Sequence, residues 1–201
     1  MSILGLSILD TKPVTVGAGF WIRALARLVD TVYGFALGVV AGVFGAIIVP
    51  ILEALSVVEP GWGDRISQGS NLMPTLMSLV GYLFYYTTCE GLCGASLGKL
   101  VCGLRVLSED LSPCSLKPAF VRSLAGFVDG LFFGVIGYMS MSKTLTQQRH
   151  GDHWARTVVV RNSQVPLGSK RSTTQYLLAL ALGSVAWGLA LVAGLLWRGL
   201  R

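Results

Sequence analysis

The sequence predicts an all-α membrane protein, and three observations support this fold class. Of the 201 residues, 53% are hydrophobic and only 13% are charged, whereas about 25% of residues are charged in ordinary soluble domains. The mean hydropathy is +0.65. Long uncharged stretches alternate with short charged connections, as in proteins whose helices cross a bilayer. We therefore predict three transmembrane helices, a further hydrophobic helical segment, and a small β element on the inner face.

Three stretches are long enough to cross about 30 Å of hydrocarbon at a rise of about 1.5 Å per residue. They are residues 28–52, residues 72–88 and residues 176–197. The third follows a linker, residues 162–175, and we interpret it as an additional C-terminal transmembrane helix. Aromatic residues stand near the ends of these stretches, where the membrane interface is expected. These aromatic residues are Trp62, Tyr85, Tyr86, Tyr176 and Trp197.

A fourth hydrophobic segment, residues 123–141, contains Asp129 and several glycines, and two topologies are open for it. Lys and Arg are enriched on the cytoplasmic side of membrane proteins. With a cytoplasmic N-terminus, a hairpin that enters and returns places 13 of the 16 basic residues on that side, and a full crossing places 9 there. The charge distribution therefore predicts a re-entrant hairpin bent around residues 130–137. A full fourth span is the alternative.

The first predicted helix carries a pattern of small residues. Gly34, Gly38 and Gly42 form a GxxxGxxxG motif, which lets another helix approach closely in a membrane. We favour packing against another helix of the same chain, and self-association is the alternative.

Charged residues cluster at the start of the same helix. Arg23 and Asp30 differ by about 20° around a helix of 3.6 residues per turn, and Arg27 lies between them, so the three side chains share one face. A carboxylate at this depth needs a cation or a polar cavity. Asp30 therefore belongs either to a salt-bridged helix start or to an ion path whose further members are Glu90 and Asp129.

Two later segments predict the β element and a candidate metal site. Leu104–Leu107 and Thr157–Val160 have strand-like patterns, and pairing between them would join two inner loops. His150, Asp152 and His153 have ligand chemistry, but no further metal-ligand candidate lies near them in sequence. Polar residues of an interface are the favoured interpretation, and we expect no metal, no cofactor and no catalytic residue.

Three sequence blocks resemble the RDD family of membrane proteins. They read FWIRALARLVD, GASLGKLVCGLRVL and QRHGDHWARTVVV, and the resemblance covers about residues 19–161. The family is named for one arginine and two aspartates, which fall here on Arg23, Asp30 and Asp152. The charged residues that match the family motif are Arg23, Asp30, Lys99, Arg105, Arg122, Arg149 and Asp152.

The resemblance leaves two functions open, because most members of the family have no assigned activity and some have a proposed role in ion or proton exchange. One is an accessory or scaffold subunit that packs against partner membrane proteins through its glycine-rich helices. The other is a component of an ion- or proton-coupled transporter that uses Asp30 and Asp129. The first is favoured, because the spans are poor in polar residues and Arg23, Arg122 and Arg149 can hold the aspartates in permanent pairs.

The third and least favoured hypothesis is a metal-dependent membrane enzyme. We expect an integral protein of a bacterial cytoplasmic (inner) membrane. Its expected partners are the lipid bilayer and either other membrane proteins or a second copy of the chain. The net charge of +6 does not indicate nucleic-acid binding, because the basic residues lie in the gaps between apolar segments.

Overall fold

The computed structural model describes residues 17–129, 135–142 and 146–199. Within these residues the chain is mostly helical and contains a small two-stranded sheet. The helices are α1 (Phe20–Ala54), α2 (Trp62–Gln68), α3 (Leu72–Cys93), α4 (Leu97–Val101), α5 (Leu116–Asp129), α6 (Val135–Met141), α7 (His150–Trp154) and α8 (Thr173–Gly199). The strands are β1 (Leu104–Ser108) and β2 (Thr157–Arg161), and two short 3-10 turns, Asn162–Gln164 and Leu167–Ser169, connect β2 to α8.

Two helical segments of the described chain are long and apolar enough to cross a membrane. They are α1 and the segment Leu167–Gly199, which contains α8. The 22 residues of α3 give a helix about 33 Å long, but its serine, threonine and tyrosine side chains make it less apolar. The structure therefore has two candidate spans, and three transmembrane helices are not confirmed.

The centre of the molecule is the contact between α3 and α8. A Cβ atom added at Gly194 would lie 2.8 Å from Pro74, and one added at Gly183 would lie 3.1 Å from Cys89. Because a late residue of α8 meets an early residue of α3, the two helices are antiparallel. The indole of Trp187 fills the space beside Gly81, so glycines on both helices permit the close approach.

The two ends of this helical bundle differ. At one end, Arg105 of β1 donates a hydrogen bond of 3.0 Å to the carbonyl oxygen of Cys93, the last residue of α3. We call this end the sheet end. At the other end, Arg198 donates to the carbonyl oxygens of Ser67 and Gly69 beside α2, at 3.0 and 2.7 Å. We call this the α2 end.

The predicted pairing of two short strands is confirmed. β1 and β2 are antiparallel, with Leu104 opposite Arg161 and Ser108 opposite Thr157. The amide of Ala18, just before α1, donates to the carbonyl oxygen of Val159 at 2.8 Å. The chain before α1 therefore lies against β2, which fixes the start of α1 at the sheet end.

The fourth hydrophobic segment forms two short helices. α5 has 14 residues and α6 has 7, so at about 1.5 Å per residue neither can cross about 30 Å of hydrocarbon alone. The start of α5 lies at the sheet end, where Leu116 contacts Gly91 of α3, and α7 also lies at this end. Both the start of this segment and the helix that follows it therefore lie at the sheet end, and the hairpin stays a prediction. The predicted bend falls partly on residues 130–134, which lie outside the described residues.

The three glycines of the GxxxGxxxG motif have different surroundings. A Cβ atom at Gly34 would overlap the ring of Trp187 on α8, so this glycine packs against a helix of its own chain. At Gly38 and Gly42, no atom of the described chain lies within 4 Å of the added Cβ. The motif therefore contacts α8 at its first glycine and faces open space at the other two.

This difference predicts opposite effects of alanine substitution on stability. Gly34→Ala should lower the melting temperature of the purified protein in detergent, because the new methyl group overpacks the contact with Trp187 at a cost of about 1–3 kcal/mol. Gly38→Ala should leave it unchanged or raise it, because alanine favours a helix by up to about 1 kcal/mol over glycine. Equal melting temperatures for the two variants would contradict the packing described.

Candidate functional site

Five charged side chains from five helices form a continuous buried array at the sheet end. Their charges alternate in sign along the array, which we call the charge network. Its members in order are Lys99 of α4, Glu90 of α3, Arg122 of α5, Asp152 of α7 and Arg23 of α1. None of these side chains is more than 8% exposed. Because an unpaired charge in such surroundings is costly, every member depends on its neighbours.

Asp152 lies where three arginines meet. Its Oδ2 accepts from Nη1 of Arg23 at 2.6 Å and from the backbone amide of Arg149 at 3.1 Å, and its Oδ1 accepts from Nη1 of Arg122. Burial alone would raise the pKa of the Asp152 carboxyl, but the charges of Arg122, Arg23 and Arg149 reverse this effect and hold that pKa below its usual range. Asp152 therefore remains ionised and serves as a permanent counter-ion.

Arg23 uses its whole guanidinium group to fix the start of α1. Besides the bond to Asp152, its Nε donates to the carbonyl oxygen of Ala18 at 2.8 Å and its Nη2 donates to that of Gln147 at 2.8 Å. Each bond reaches a different part of the chain. The planar fork of an arginine can make this set of bonds, and a lysine cannot.

Glu90 is held by the other half of the charge network. Its Oε2 accepts from Nε of Arg122 at 3.0 Å, and its Oε1 accepts from Nζ of Lys99. Burial lowers the pKa of Lys99 to about 8, although the Glu90 carboxylate acts in the opposite direction. The structure therefore places Glu90, a predicted member of an ion path, between two cations.

Asp30 lies beside the charge network and is bound differently. Its carboxylate accepts hydrogen bonds from the hydroxyl of Ser96 at 2.6 Å, the amide of Gly98 at 2.7 Å, and the hydroxyls of Tyr86 and Tyr85 at 2.9 and 3.4 Å. Ser96 is also the N-cap of α4, so the first turn of α4 is built around this carboxylate. Gly98 lies so close to α1 that a Cβ atom there would overlap the carbonyl of Ala26, so a larger residue would separate α4 from Asp30.

The prediction that an arginine holds Asp30 is wrong for the described residues, among which no basic nitrogen lies within 4 Å of this carboxylate. Arg23 binds Asp152 instead. The guanidinium of Arg27 lies 4.7 Å from the ring centre of Tyr86, in a cation–π arrangement. The physical reason is that helical side chains point toward the N-terminus of their helix, which carries Arg23 away from Asp30 and toward α7.

Arg105, another residue of the family motif, lies outside the charge network. Its guanidinium stacks 3.8 Å from the ring centre of Tyr176, at the start of α8. Its Nε donates to Asn162 at 3.2 Å, and its Nη1 binds the end of α3. Arg105 therefore connects the sheet to the first turn of α8.

The histidines and Asp129 do not form a metal site with Asp152. Nδ1 of His150 lies 3.5 Å from Oδ1 of Asp129, and the amide of Gly151 donates to the other oxygen of Asp129 at 3.4 Å. His153 is exposed, whereas Asp152 is buried on the opposite side of α7. Among the described residues, no group of three or more His, Cys, Asp or Glu side chains converges on a common point.

Sequence reasoning missed the donors around Asp30. Ser96, Gly98 and Tyr86 come from two elements distant from α1 in sequence, and none of them is charged, so charge pairing gives no signal for them. The sequence does contain one indication, because a serine that precedes a short helix is a common N-cap. Thr157, which accepts from Arg122 at 2.8 Å, was missed for the same reason.

The chain resembles a known protein family over most of its length. The model of the RDD family matches residues 17–156. The chain belongs to the RDD family. The match contains every member of the charge network and Asp30, and α8 lies outside it. No curated protein and no solved structure matches the chain significantly.

Removal of the Asp152 charge should destabilise the protein strongly. In Asp152→Asn, Arg23 and Arg122 would stay buried without their shared counter-ion, which we expect to lower the free energy of unfolding by about 3–5 kcal/mol. Denaturant unfolding in mixed micelles measures this. The matched control is Glu59→Gln, which removes the exposed Arg65–Glu59 pair and should cost less than about 1 kcal/mol. Similar losses in the two variants would show that the buried network is not the stabilising element.

The lowered pKa of Asp152 predicts a specific acid dependence. As the pH falls below the ordinary aspartate pKa of about 4, the unfolded chain binds a proton that native Asp152 does not. The stability that Asp152 contributes is complete above this pH and is lost as the pH falls toward its native pKa. Unfolding free energies measured across this range should fall more steeply for the wild type than for Asp152→Asn. Parallel curves would contradict the assignment.

Proposed function

We propose that this RDD-family protein is an accessory or scaffold subunit of a membrane complex, in which α1 binds a transmembrane helix of a partner membrane protein. One observation carries the proposal. Of the 35 residues of α1, the buried ones are Arg23, Ala26 and Asp30, all near its start, and none of residues 31–54 is buried. Most of the surface of the apolar part of α1 is therefore uncovered.

The proposed topology places α1, α3 and α8 across a bacterial inner membrane. The segment of α5 and α6 enters and returns as a hairpin. The sheet end and the N-terminus face the cytoplasm, which is supported by the basic residues concentrated there. The α2 end, where Arg65 and Arg198 are the only basic residues among those that the structure describes, faces the other side.

The open face of α1 has the chemistry of a helix–helix interface. Gly38, Gly42 and Gly45 have no atom of the described chain within 4 Å of an added Cβ, and they lie within about 60° of each other around the helix. A glycine that faces lipid costs helix stability relative to alanine and brings no contact in return. When it faces another helix, it allows close backbone approach. The same chain uses Gly34 in this way against Trp187.

Transport is the second candidate, and Asp30 is the observation that favours it. Glu90 and Asp152 are paired with cations, so a proton or metal ion would have to displace an ion pair to bind them. Asp30 is surrounded by hydroxyl and amide donors instead. It can change its charge without leaving a buried arginine or lysine unpaired. The four donors saturate it, however, which favours a fixed structural carboxylate over an ion carrier.

The experiment is recovery of a partner from native membranes. The full chain carries a tag and is extracted with a gentle detergent, and a membrane protein in stoichiometric amount should co-purify. Gly42→Leu should abolish this recovery, because its side chain fills the open face of α1. Gly188→Leu is the matched control, since Gly188 also lies in a long apolar helix and has no atom of the described chain within 4 Å of an added Cβ.

Three outcomes would overturn the proposal. Equal recovery of the partner with both variants would show that α1 is not the contact. A second copy of the chain as the sole associated protein would indicate self-association. Proton or sodium flux through liposomes that contain the purified protein alone, lost in Asp30→Asn, would replace the proposal by transport.

A further inference from the structure

We propose that a cavity at the α2 end binds the headgroup of a zwitterionic phospholipid whose amine is primary, the phosphatidylethanolamine class. The cavity has a volume of about 430 Å³ and lies between α2, the first turn of α3 and the last turn of α8. This volume is within the range of small-molecule sites. The site requires that the chain lies in a bilayer, and it does not depend on partner binding by α1.

Arg198 supplies an uncompensated positive charge to the wall of this cavity. Its Nη2 donates to the carbonyl oxygens of Ser67 and Gly69 at 3.0 and 2.7 Å, which fixes the guanidinium in place. Its Nε is buried and has no hydrogen-bond partner among the residues that the structure describes. In the described part of the chain no carboxylate lies within 4 Å of Arg198. A phosphodiester oxygen would supply both the missing acceptor and the missing negative charge.

Asp64 supplies the opposite charge. It also lines the cavity, and its carboxylate makes no ion pair or hydrogen bond with the residues that the structure describes. The third charged residue of the wall, Arg65, is already paired with Glu59 at 3.1 Å. The cavity therefore offers one unpaired cation and one unpaired anion, which fits a ligand that carries both charges.

The choice of a primary amine follows from hydrogen bonding. An ammonium group has three donors, and Asp64 can accept from it. A quaternary ammonium has no N–H and is usually recognised by aromatic faces. An anionic headgroup without an amine would satisfy Arg198 and leave the carboxylate of Asp64 facing another negative charge.

The apolar part of the wall favours a lipid over a free headgroup. Leu72, Met73 and Trp197 line the cavity together with the charged residues. Tryptophan is typical of the membrane interface, and the cavity lies at the ends of the long helices, at the level where headgroups are expected. A phosphodiester with an amine could also come from a soluble compound, so the experiment includes both sources.

The experiment measures lipid retention by the full-length protein. The protein is purified in detergent and mixed with equal amounts of phosphatidylethanolamine, phosphatidylcholine and phosphatidylglycerol, and bound lipids are counted by native mass spectrometry. The wild type should retain phosphatidylethanolamine about tenfold over the other two, as expected for hydrogen bonds to charged groups. Soluble glycerophosphoethanolamine should compete only weakly.

Two variants separate the two charges. Arg198→Gln should lower retention of phosphatidylethanolamine about tenfold. Asp64→Asn should keep phospholipid binding but lose the preference for a primary amine. Because the carboxylate of Asp64 makes no ion pair or hydrogen bond in the described structure, this variant tests the site without disturbing the fold, whereas Arg198→Gln also loses the bonds to Ser67 and Gly69. Lys117→Gln, which removes an exposed charge at the sheet end, is the matched control and should behave as wild type.

Several results would overturn the assignment. Equal retention of the three lipids by the wild type would exclude a specific site. An unchanged preference of Asp64→Asn for phosphatidylethanolamine would show that the carboxylate of Asp64 does not recognise the amine. Competition by glycerophosphoethanolamine as strong as that by the lipid would assign the cavity to a soluble ligand. The Gly42→Leu variant keeps the lipid preference if the site is right, even where the partner proposal fails.

Discussion

The guanidinium of Arg122 is the group on which the rest of the structure depends. It binds Glu90 of α3 and Asp152 of α7 from a position on α5, and each of these carboxylates is bound by a further cation. Ions buried at this depth are stable only when every partner is present and well oriented. The charge network therefore requires that α1, α3, α4, α5 and α7 meet in one arrangement at the sheet end.

This requirement explains why the two halves of α1 differ. The first turns are fixed by Arg23 and by the contact of Asp30 with α4, and here the helix packs into the bundle. Residues 35–52 of the helix carry no charge and none of them is buried, and the helix is held again near its end, where the Glu53 carboxylate accepts a hydrogen bond from the amide of Gly63 at 2.8 Å. α8 is held at both ends, by Arg105 on Tyr176 and by Arg198 on the α2 segment. The structure thus combines a rigid sheet end with one long helix whose apolar middle is largely uncovered.

Much of the secondary structure was predictable from the sequence, because hydrophobic periodicity and strand patterns are local signals. The pairing of β1 with β2 is the clearest case. The partners of the charged residues were harder to predict. A helical wheel places Arg23 beside Asp30, but Arg23 binds Asp152, 129 residues later in the chain. The side chain of Arg23 points toward the helix N-terminus, and α4 and its N-cap residue already bind the carboxylate of Asp30. Glu90 was predicted as a member of an ion path because its pairing with cations has no local signal in the sequence. The two cations that bind it come from α4 and α5.

The two aspartates of the family motif are therefore not equivalent. Asp152 neutralises arginines, so protonation or exchange at this position would leave buried cations without a counter-ion. Asp30 organises neutral donors, and its charge is compensated by dipoles from Ser96, Gly98 and Tyr86. Loss of the Asp30 charge would leave no ion-paired cation behind among the described residues, whereas loss of the Asp152 charge would leave Arg23 and Arg122 buried without their shared counter-ion.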